Sequence, residues 1–248
     1  MRWIRAPFKE LVTWLSEGNF ECVEIVDCGL HTLNYGRAQQ LRQVLKGAEV
    51  SVHAPWFGID LSTPIRPSFN VMLKTLEKSL RNAFALEASV WVVHCGARDG
   101  FNSFYPGYAW KSNLEAMRRL HRVARNYGIR VGLENLWQAD LLADIGEIIA
   151  FFRDLDRDVG LTLDVGHAHL MGHATLFLDA LKDRIIHMHV SDNDGVEDKH
   201  WEVGKGNIDW QSITNKTREN NFDGMMIVEC FEGVNSSVVF LKKLFRGE

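Results

Sequence analysis

Nine side chains of the metal-binding type fall at or near the ends of short apolar runs: His53, His94, Glu134, Asp164, His167, His189, Asp198, His200 and Glu229. The runs are VSVHAP (50–55), VWVVHCG (90–96), RVGLEN (130–135), GLTLDVGH (160–167), IIHMHVSD (185–192) and MMIVECF (225–231). Each has the composition of a buried strand that stops on an ionisable tip. Desolvating an unpaired carboxylate is very costly, so a buried strand has no use for such a tip unless its charge is balanced. One such tip could be accidental. Six runs delivering carboxylates and imidazoles in the same direction point to one metal centre. Histidine and carboxylate donors without cysteine suit Zn²⁺, Mn²⁺ or another divalent first-row ion. In DVGH (164–167) the aspartate ends a strand and the histidine begins a loop. In DKH (198–200) two donors share one short stretch and can chelate one ion. Glu134, Asp164, Asp198 and Glu229 together carry −4, so one divalent ion leaves −2 and three leave +2. One to three ions per chain are expected, since a pocket this acidic would otherwise push its carboxylates upward in pKa.

The elements that must position these groups alternate along the chain. Strands are expected at 22–29, 50–54, 90–95, 130–134, 160–165, 185–191 and 225–230. Helices are expected around 36–46, 68–87, 111–127, 141–155, 174–182, 210–220 and 236–245. Near-continuous Val/Ile/Leu strands between amphipathic helices indicate a parallel sheet covered on its outside. The pattern fits a single α/β domain over residues 1–248, a (β/α)8 TIM-type barrel. Seven strands are clear. The eighth has only residues 1–5 left, before a helix opened by Pro7, so the first strand is expected to be short or missing. Two long connections, 97–112 and 191–209, follow strands and so belong to the C-terminal face, where barrel active sites are built. The first carries Phe101, Phe104, Tyr105, Tyr108 and Trp110, and the second carries Asp198, His200 and Trp201. Both are expected to act as lids or substrate walls.

Composition narrows the class. Hydrophobic content of 46% and charged content of 24% are ordinary for a globular protein. A net charge of −4 weighs against a dedicated nucleic-acid binder. The start, MRWIRAPFKELVTWL, lacks the apolar stretch of a signal peptide, and no run approaches the roughly 18 apolar residues of a membrane span. Cys22, Cys28, Cys95 and Cys230 form no CxxC pair and read as small buried hydrophobes in a reducing cytoplasm. Cys95 and Cys230 each follow a proposed ligand, so alternation turns them to the opposite face.

In their order, VHAPW, VVHCG, GLEN, LTLDVGHAH, HMHVSDNDGVEDKHWEVGKGNIDW and IVEC resemble the xylose isomerase-like barrels, which include sugar (phosphate) isomerases and epimerases together with endonuclease IV. The resemblance spans roughly residues 7 to 245. It implies that Glu134, Asp164, His189 and Glu229 hold one Mn²⁺-type ion as in the epimerases. It also matches His53, His94, His167, Asp198 and His200 to the remaining ligands of the three-zinc site of endonuclease IV.

Two catalytic readings follow. In the first, a sugar or sugar-phosphate isomerase or epimerase works by proton transfer through an enediolate stabilised by the metal. Glu134 and Glu229 remove and return the proton next to the carbonyl, and His167 donates to a substrate oxygen. Lys205, Arg98 or the backbone around Gly204–Gly206 would hold a phosphate, and Trp56, Trp137 and Trp201 would wall the sugar. In the second, three zinc ions clamp and hydrolyse a phosphodiester in abasic DNA. The full ligand set favours it, and the acidic charge and lack of basic loops oppose it. A non-catalytic sugar binder is disfavoured by the intact set of acids, bases and ligands.

Plainer roles stand beside these. His53 or His94 alone could be a satisfied core histidine, and Glu134 or Glu229 alone a buried ion-pair partner. Asp198, His200 and Lys205 could be ordinary loop residues. Gly204 and Gly206 could serve only the turn before a helix capped by Asp209. His187, one strand repeat below His189, and His169 read as structural. His121 and His173 fall on helices. The aromatic segment 101–110 could form a contact between copies of the chain.

Overall fold

The computed structural model describes residues 5–98, 100–138, 141–172 and 174–247. Seven parallel strands are hydrogen-bonded in chain order: β1 (Cys22–Val26), β2 (Glu49–His53), β3 (Val90–Val93), β4 (Arg130–Glu134), β5 (Gly160–Asp164), β6 (Ile185–Val190) and β7 (Met225–Val228). The principal covering helices are α1 (Phe8–Glu17), α2 (Tyr35–Val44), α3 (Arg66–Ala85), α5 (Tyr108–Tyr127), α6 (Ile145–Arg153), α8 (Ala174–Ala180), α9 (Trp210–Glu219) and α10 (Val234–Arg246). Two short helices, α4 (Gly100–Phe104) and α7 (Val165–Leu170), sit in the connections after β3 and β5. This is the TIM-type α/β barrel, nearly closed, with seven strands among the described residues.

The two-residue period of a strand divides its side chains between two environments. One set, including Val52, Trp91, Val131, Leu133, Leu163 and Met188, packs under the helices in the main core. Fully burying each such side chain contributes about 1.5–3 kcal/mol. Trp91 also satisfies its ring N–H on Ser79 of α3 at 3.1 Å. A smaller apolar group, Val90, Val92 and Met225 with Cys22, Ile186 and Ile227, forms a separate cluster built only from strand residues. Room between β4 and β5 is short. A Cβ on Gly132 would stand 2.3 Å from Thr162 Oγ1.

A register shift between β5 and β6 matters for the site. Leu161 pairs with Ile185, but Thr162 pairs with His187, so Ile186 is skipped. Such a bulge re-aims the side chains beyond it. Past it His189 lies opposite Asp164.

The expected eighth strand at 1–5 falls mostly outside the described residues, as does His173. Among the described residues β1 and β7 touch without joining the hydrogen-bonded ladder. Lys242 of α10 reaches across to Glu21 at 2.6 Å. Three local expectations need correction. The 97–112 connection is largely helical, with α5 starting at Tyr108, after Gly107 at φ 83°. His167 lies in α7 rather than in a loop, because Asp164 caps that helix by accepting the His167 N–H at 2.7 Å. The helix expected from 141 begins at Ile145, where Asp144 caps the amides of Gly146 and Glu147. Asp209 does cap α9, through the Ser212 N–H at 3.0 Å. No helix among the described residues is long and apolar enough to cross a membrane, and all four cysteines are free.

Candidate metal centre

Strand ends, α7 and the 191–209 connection bring the nine donors together at one end of the barrel. Donor atoms of His53, His94 and Glu134 lie within 4.8 Å of one another. The same holds for Glu134, Asp164 and His167, for Asp164, His189 and Glu229, and for His167, Asp198 and His200. Glu134 is central: its Oε2 stands 3.0 Å from His94 Nε2, 3.3 Å from His53 Nε2 and 3.5 Å from His189 Nδ1. Glu229 Oε2 reaches the same His189 Nδ1 at 3.6 Å. Asp198 Oδ2 lies 2.9 Å from His200 Nε2 and 3.5 Å from His167 Nε2.

Most of these imidazoles are aimed by the nitrogen they do not offer. His53 Nδ1–H donates to Ala54 O at 2.8 Å, His167 Nδ1–H to Asn135 O at 2.9 Å and His200 Nδ1–H to Glu229 O at 3.0 Å. A carbonyl only accepts, so each of these rings carries its proton at Nδ1 and turns Nε2 inward. Asn135 does more: its amide brackets the Asp164 backbone, accepting N–H at 2.8 Å and donating to C=O at 3.0 Å.

The connection that carries Asp198 and His200 is built on Asp192. Its backbone exchanges both hydrogen bonds with Trp201, at 2.9 and 2.8 Å. Its buried carboxylate accepts from Asn193, Gly204 and Ile208 amides and from the Trp210 ring N–H. His200 is held at φ 46°, uncommon for a non-glycine residue.

Charge in the centre is dense. Burial pushes Glu134 up, but the imidazoles of His94, His189 and His53 overcome it and hold the carboxyl well below its usual range. At Asp164 burial, joined by the charges of Glu134 and Glu229, outweighs the imidazoles of His167 and His189 and raises the carboxyl to about 6. His167 is opposed by burial yet raised to about 10 by Asp164, Asp198 and Glu134. Burial depresses His94, whereas acidic neighbours outweigh it at His189, His200 and His53, which are raised.

The donor set fits a divalent ion on independent grounds. Asp164 Oδ2, Asp198 Oδ1 and His189 Nδ1 are buried without a hydrogen-bond partner. Such orphans are costly unless something else satisfies them. The core donors Glu134, Asp164, His189 and Glu229 are hard or borderline ligands of the kind Mn²⁺ and Zn²⁺ accept.

Above the donors opens a cavity of about 810 Å³. Trp137 stacks on His167 with centroids 4.3 Å apart, and Trp56 meets His53 edge-on at 4.7 Å. Trp201 and Lys205 line an adjoining hollow of about 620 Å³ with Arg5 and Phe231. Arg98 is not in either lining; it pairs with Glu147 of α6. None of the described aromatic residues of 101–110 lines the main cavity, and Phe101 instead stacks with Tyr105. Cys95 does line it, contrary to simple alternation, because the strand ends at Val93. Of the histidines read as structural, His169 bonds Asn207 at 2.7 Å and His187 bonds Glu24 at 3.0 Å, while His121, on helix α5 as expected, meets Asp156 at 3.1 Å.

Sequence reasoning missed Glu24, in the middle of β1. Its Oε2 accepts from Ser51 Oγ at 2.8 Å and from His187 Nε2 at 3.0 Å. The available signal was a lone acid inside an otherwise apolar strand, CVEIV.

The chain is 29% identical over 223 residues to an uncharacterized protein of Methanocaldococcus jannaschii, covering 87% of this chain and 76% of that one. Its fold is similar to that of a D-tagatose 3-epimerase-like protein, with a TM-score of 0.92 and 27% identity over 97% of this chain and 94% of the other. It is also similar in fold to a Thermus thermophilus protein soaked with zinc chloride, with a TM-score of 0.79 and 24% identity over 99% and 96%. Residues 12–244 match the family described as the xylose isomerase-like TIM barrel. The chain belongs to that family.

Proposed function

We propose that the protein is a divalent-metal-dependent isomerase or epimerase of a small sugar or sugar phosphate. The observation that carries this is the convergence of two carboxylates from separate strands, Glu134 and Glu229, on His189 Nδ1 beside Asp164. They sit beneath an open cavity of about 810 Å³, within the range that takes small ligands. Similarity to a D-tagatose 3-epimerase-like protein supports the same class.

Glu134, Asp164, His189 and Glu229 would hold the ion, which when bound supplies Lewis acidity to a substrate carbonyl. The side chains do the rest. Glu134, ionised by its imidazole neighbours, and Glu229 exchange a proton at the carbon next to the carbonyl, one removing it and the other returning it. His167, raised by its acidic neighbours, donates to a substrate oxygen. Trp56 and Trp137 present apolar faces to the sugar ring and limit water at the reacting carbon. Trp201 and Lys205 offer an outer contact for a distal hydroxyl or phosphate.

The test is exchange of deuterium from solvent into a panel of ketopentoses, ketohexoses and their phosphates. Glu134→Gln and Glu229→Gln are each expected to lower exchange by at least about 10²-fold. Exchange that survives in both variants rules out the two-base scheme.

A second reading has its own support. His53 and His94 beside Glu134, and Asp198 and His200 beside His167, supply donors that a mononuclear isomerase does not require. They suit a trinuclear zinc phosphodiesterase. Elemental analysis of protein purified without added metal separates the two. About one ion per chain supports the isomerase, whereas three zinc ions with cleavage of an abasic duplex support the phosphodiesterase.

A further inference from the structure

We infer that Glu24 is a positioning residue for the metal centre: its carboxylate faces the Nε2–H of His189 as acceptor and thereby turns Nδ1 toward the ion. The inference rests on the reading that Glu134, Asp164, His189 and Glu229 hold a divalent cation.

His189 differs from its neighbours in how it is aimed. His53, His167 and His200 each anchor Nδ1 on a backbone carbonyl and offer Nε2. His189 is reversed. Its Nδ1 faces Glu134 and Glu229 at 3.5 and 3.6 Å, and its Nε2 faces Glu24 Oε1 at 2.9 Å. The approach to Glu24 is close but not yet in line, so neither atom has a directed hydrogen bond. The ring is fully buried and the Glu24 side chain is 3% exposed, so water does not take the carboxylate's place.

Glu24 is itself fixed from two sides. Ser51 of β2 and His187 of β6 both donate to its other oxygen, Oε2. Oε1 is left without a directed hydrogen bond, toward His189. A neutral imidazole has one N–H and one lone pair. Placing the N–H on Glu24 leaves the Nδ1 lone pair for the ion, and the carboxylate raises the basicity of that ligand. A cation among Glu24, His187 and His189 in addition to the ion at the centre would need both His189 nitrogens as ligands, which a neutral ring with one lone pair cannot supply.

The experiment is titration of Zn²⁺ into chelator-stripped wild type, Glu24→Gln and Glu24→Leu, each first shown to be folded by its thermal melt. Long-range ¹H–¹⁵N spectra of the zinc-loaded protein, with His189→Gln for assignment, report which ring nitrogen keeps its proton. Glu24→Leu is expected to bind Zn²⁺ about 10–100-fold more weakly. Glu24→Gln, which keeps an acceptor oxygen, recovers part of that loss. His189 is expected to be protonated at Nε2 and ligated through Nδ1. If Glu24→Leu does not fold, Glu24→Gln and the spectra decide alone. Unchanged affinity in the folded variants, or a zinc-loaded His189 protonated at Nδ1, overturns the role of Glu24 while leaving the centre standing. Wild type that takes up no Zn²⁺ removes the centre itself, and this inference with it.

Discussion

His53, His167 and His200 reach the centre from β2, α7 and the 191–209 connection, yet each is aimed by a main-chain carbonyl. That explains what the sequence exposed and what it hid. Donor type and place are written in residue identity, so the nine tips were legible. The orienting partner was not, because any residue can supply a carbonyl. Arg98 was misleading for a related reason. Its partner Glu147 is 49 residues away on α6, and no spacing rule links them. Buried charge near the centre is also not always functional. Asp27, just after β1, accepts the Leu33 N–H at 2.6 Å and is raised by burial. A raised carboxyl binds its proton more tightly folded than unfolded, so its stabilisation is full below the unfolded value near 3.8. That stabilisation is lost as pH rises through the folded value. Asp27→Asn keeps an acceptor for Leu33 without the buried charge. The variant is expected to melt higher than wild type at pH 8, with the gap shrinking toward pH 4. Calorimetry at the two pH values checks this, and an equal or lower midpoint at pH 8 would contradict it.

Strands were the most legible elements, since apolar runs such as VWVV, and GLTL before Asp164, fit burial on both faces. The short helices were not. Asp164 serves as strand end, helix cap and metal-type donor at once, and the last role masked the cap. Glu24 was overlooked because reading whole runs as apolar ignores which face each residue takes. The 191–209 connection was legible as a carrier of donors but not as a rigid one. Its rigidity comes from Asp192, whose carboxylate gathers three amides and an indole N–H. Close packing reinforces it. A Cβ on Gly206 would stand 2.1 Å from Asn193 O and 2.2 Å from Asp192 Oδ1. The first contact is backbone and cannot swing away. Gly206→Ala is therefore expected to displace the connection and uncouple Asp198 and His200 from His167, at a cost of about 1–3 kcal/mol per donor stranded. A crystal structure of the variant should keep Glu134, Asp164, His189 and Glu229 in place. Unmoved Asp198 and His200 would show that the glycine serves only its own turn.

At the scale of the whole barrel, the polar centre joins strands that the sheet does not. β1 and β7 touch without a shared ladder among the described residues. Glu24 on β1 nevertheless meets His187 and His189 on β6, and Glu134 on β4 meets His53 on β2. An ion drawing Glu134, Asp164, His189 and Glu229 together would therefore brace the barrel across its interior as well as serve chemistry. Binding only to the folded state stabilises it by about 4 kcal/mol when free metal is a thousandfold above Kd. For a chain of this size each kcal/mol moves the midpoint by roughly 2–4 °C. Chelation is thus expected to lower the melting temperature by roughly 10 °C. The ligands must lose their protons to bind, and the carboxylates of Glu229, Glu24 and Glu134 outweigh burial and leave His189 holding its proton tightly. Metal uptake should accordingly release protons, and the gap between loaded and stripped protein should widen from about pH 6 to about pH 8.5. Calorimetry with and without chelator at both pH values measures it. Superimposable melts at both would mean that the buried carboxylates are neutralised by the imidazoles alone, and that no ion braces the barrel.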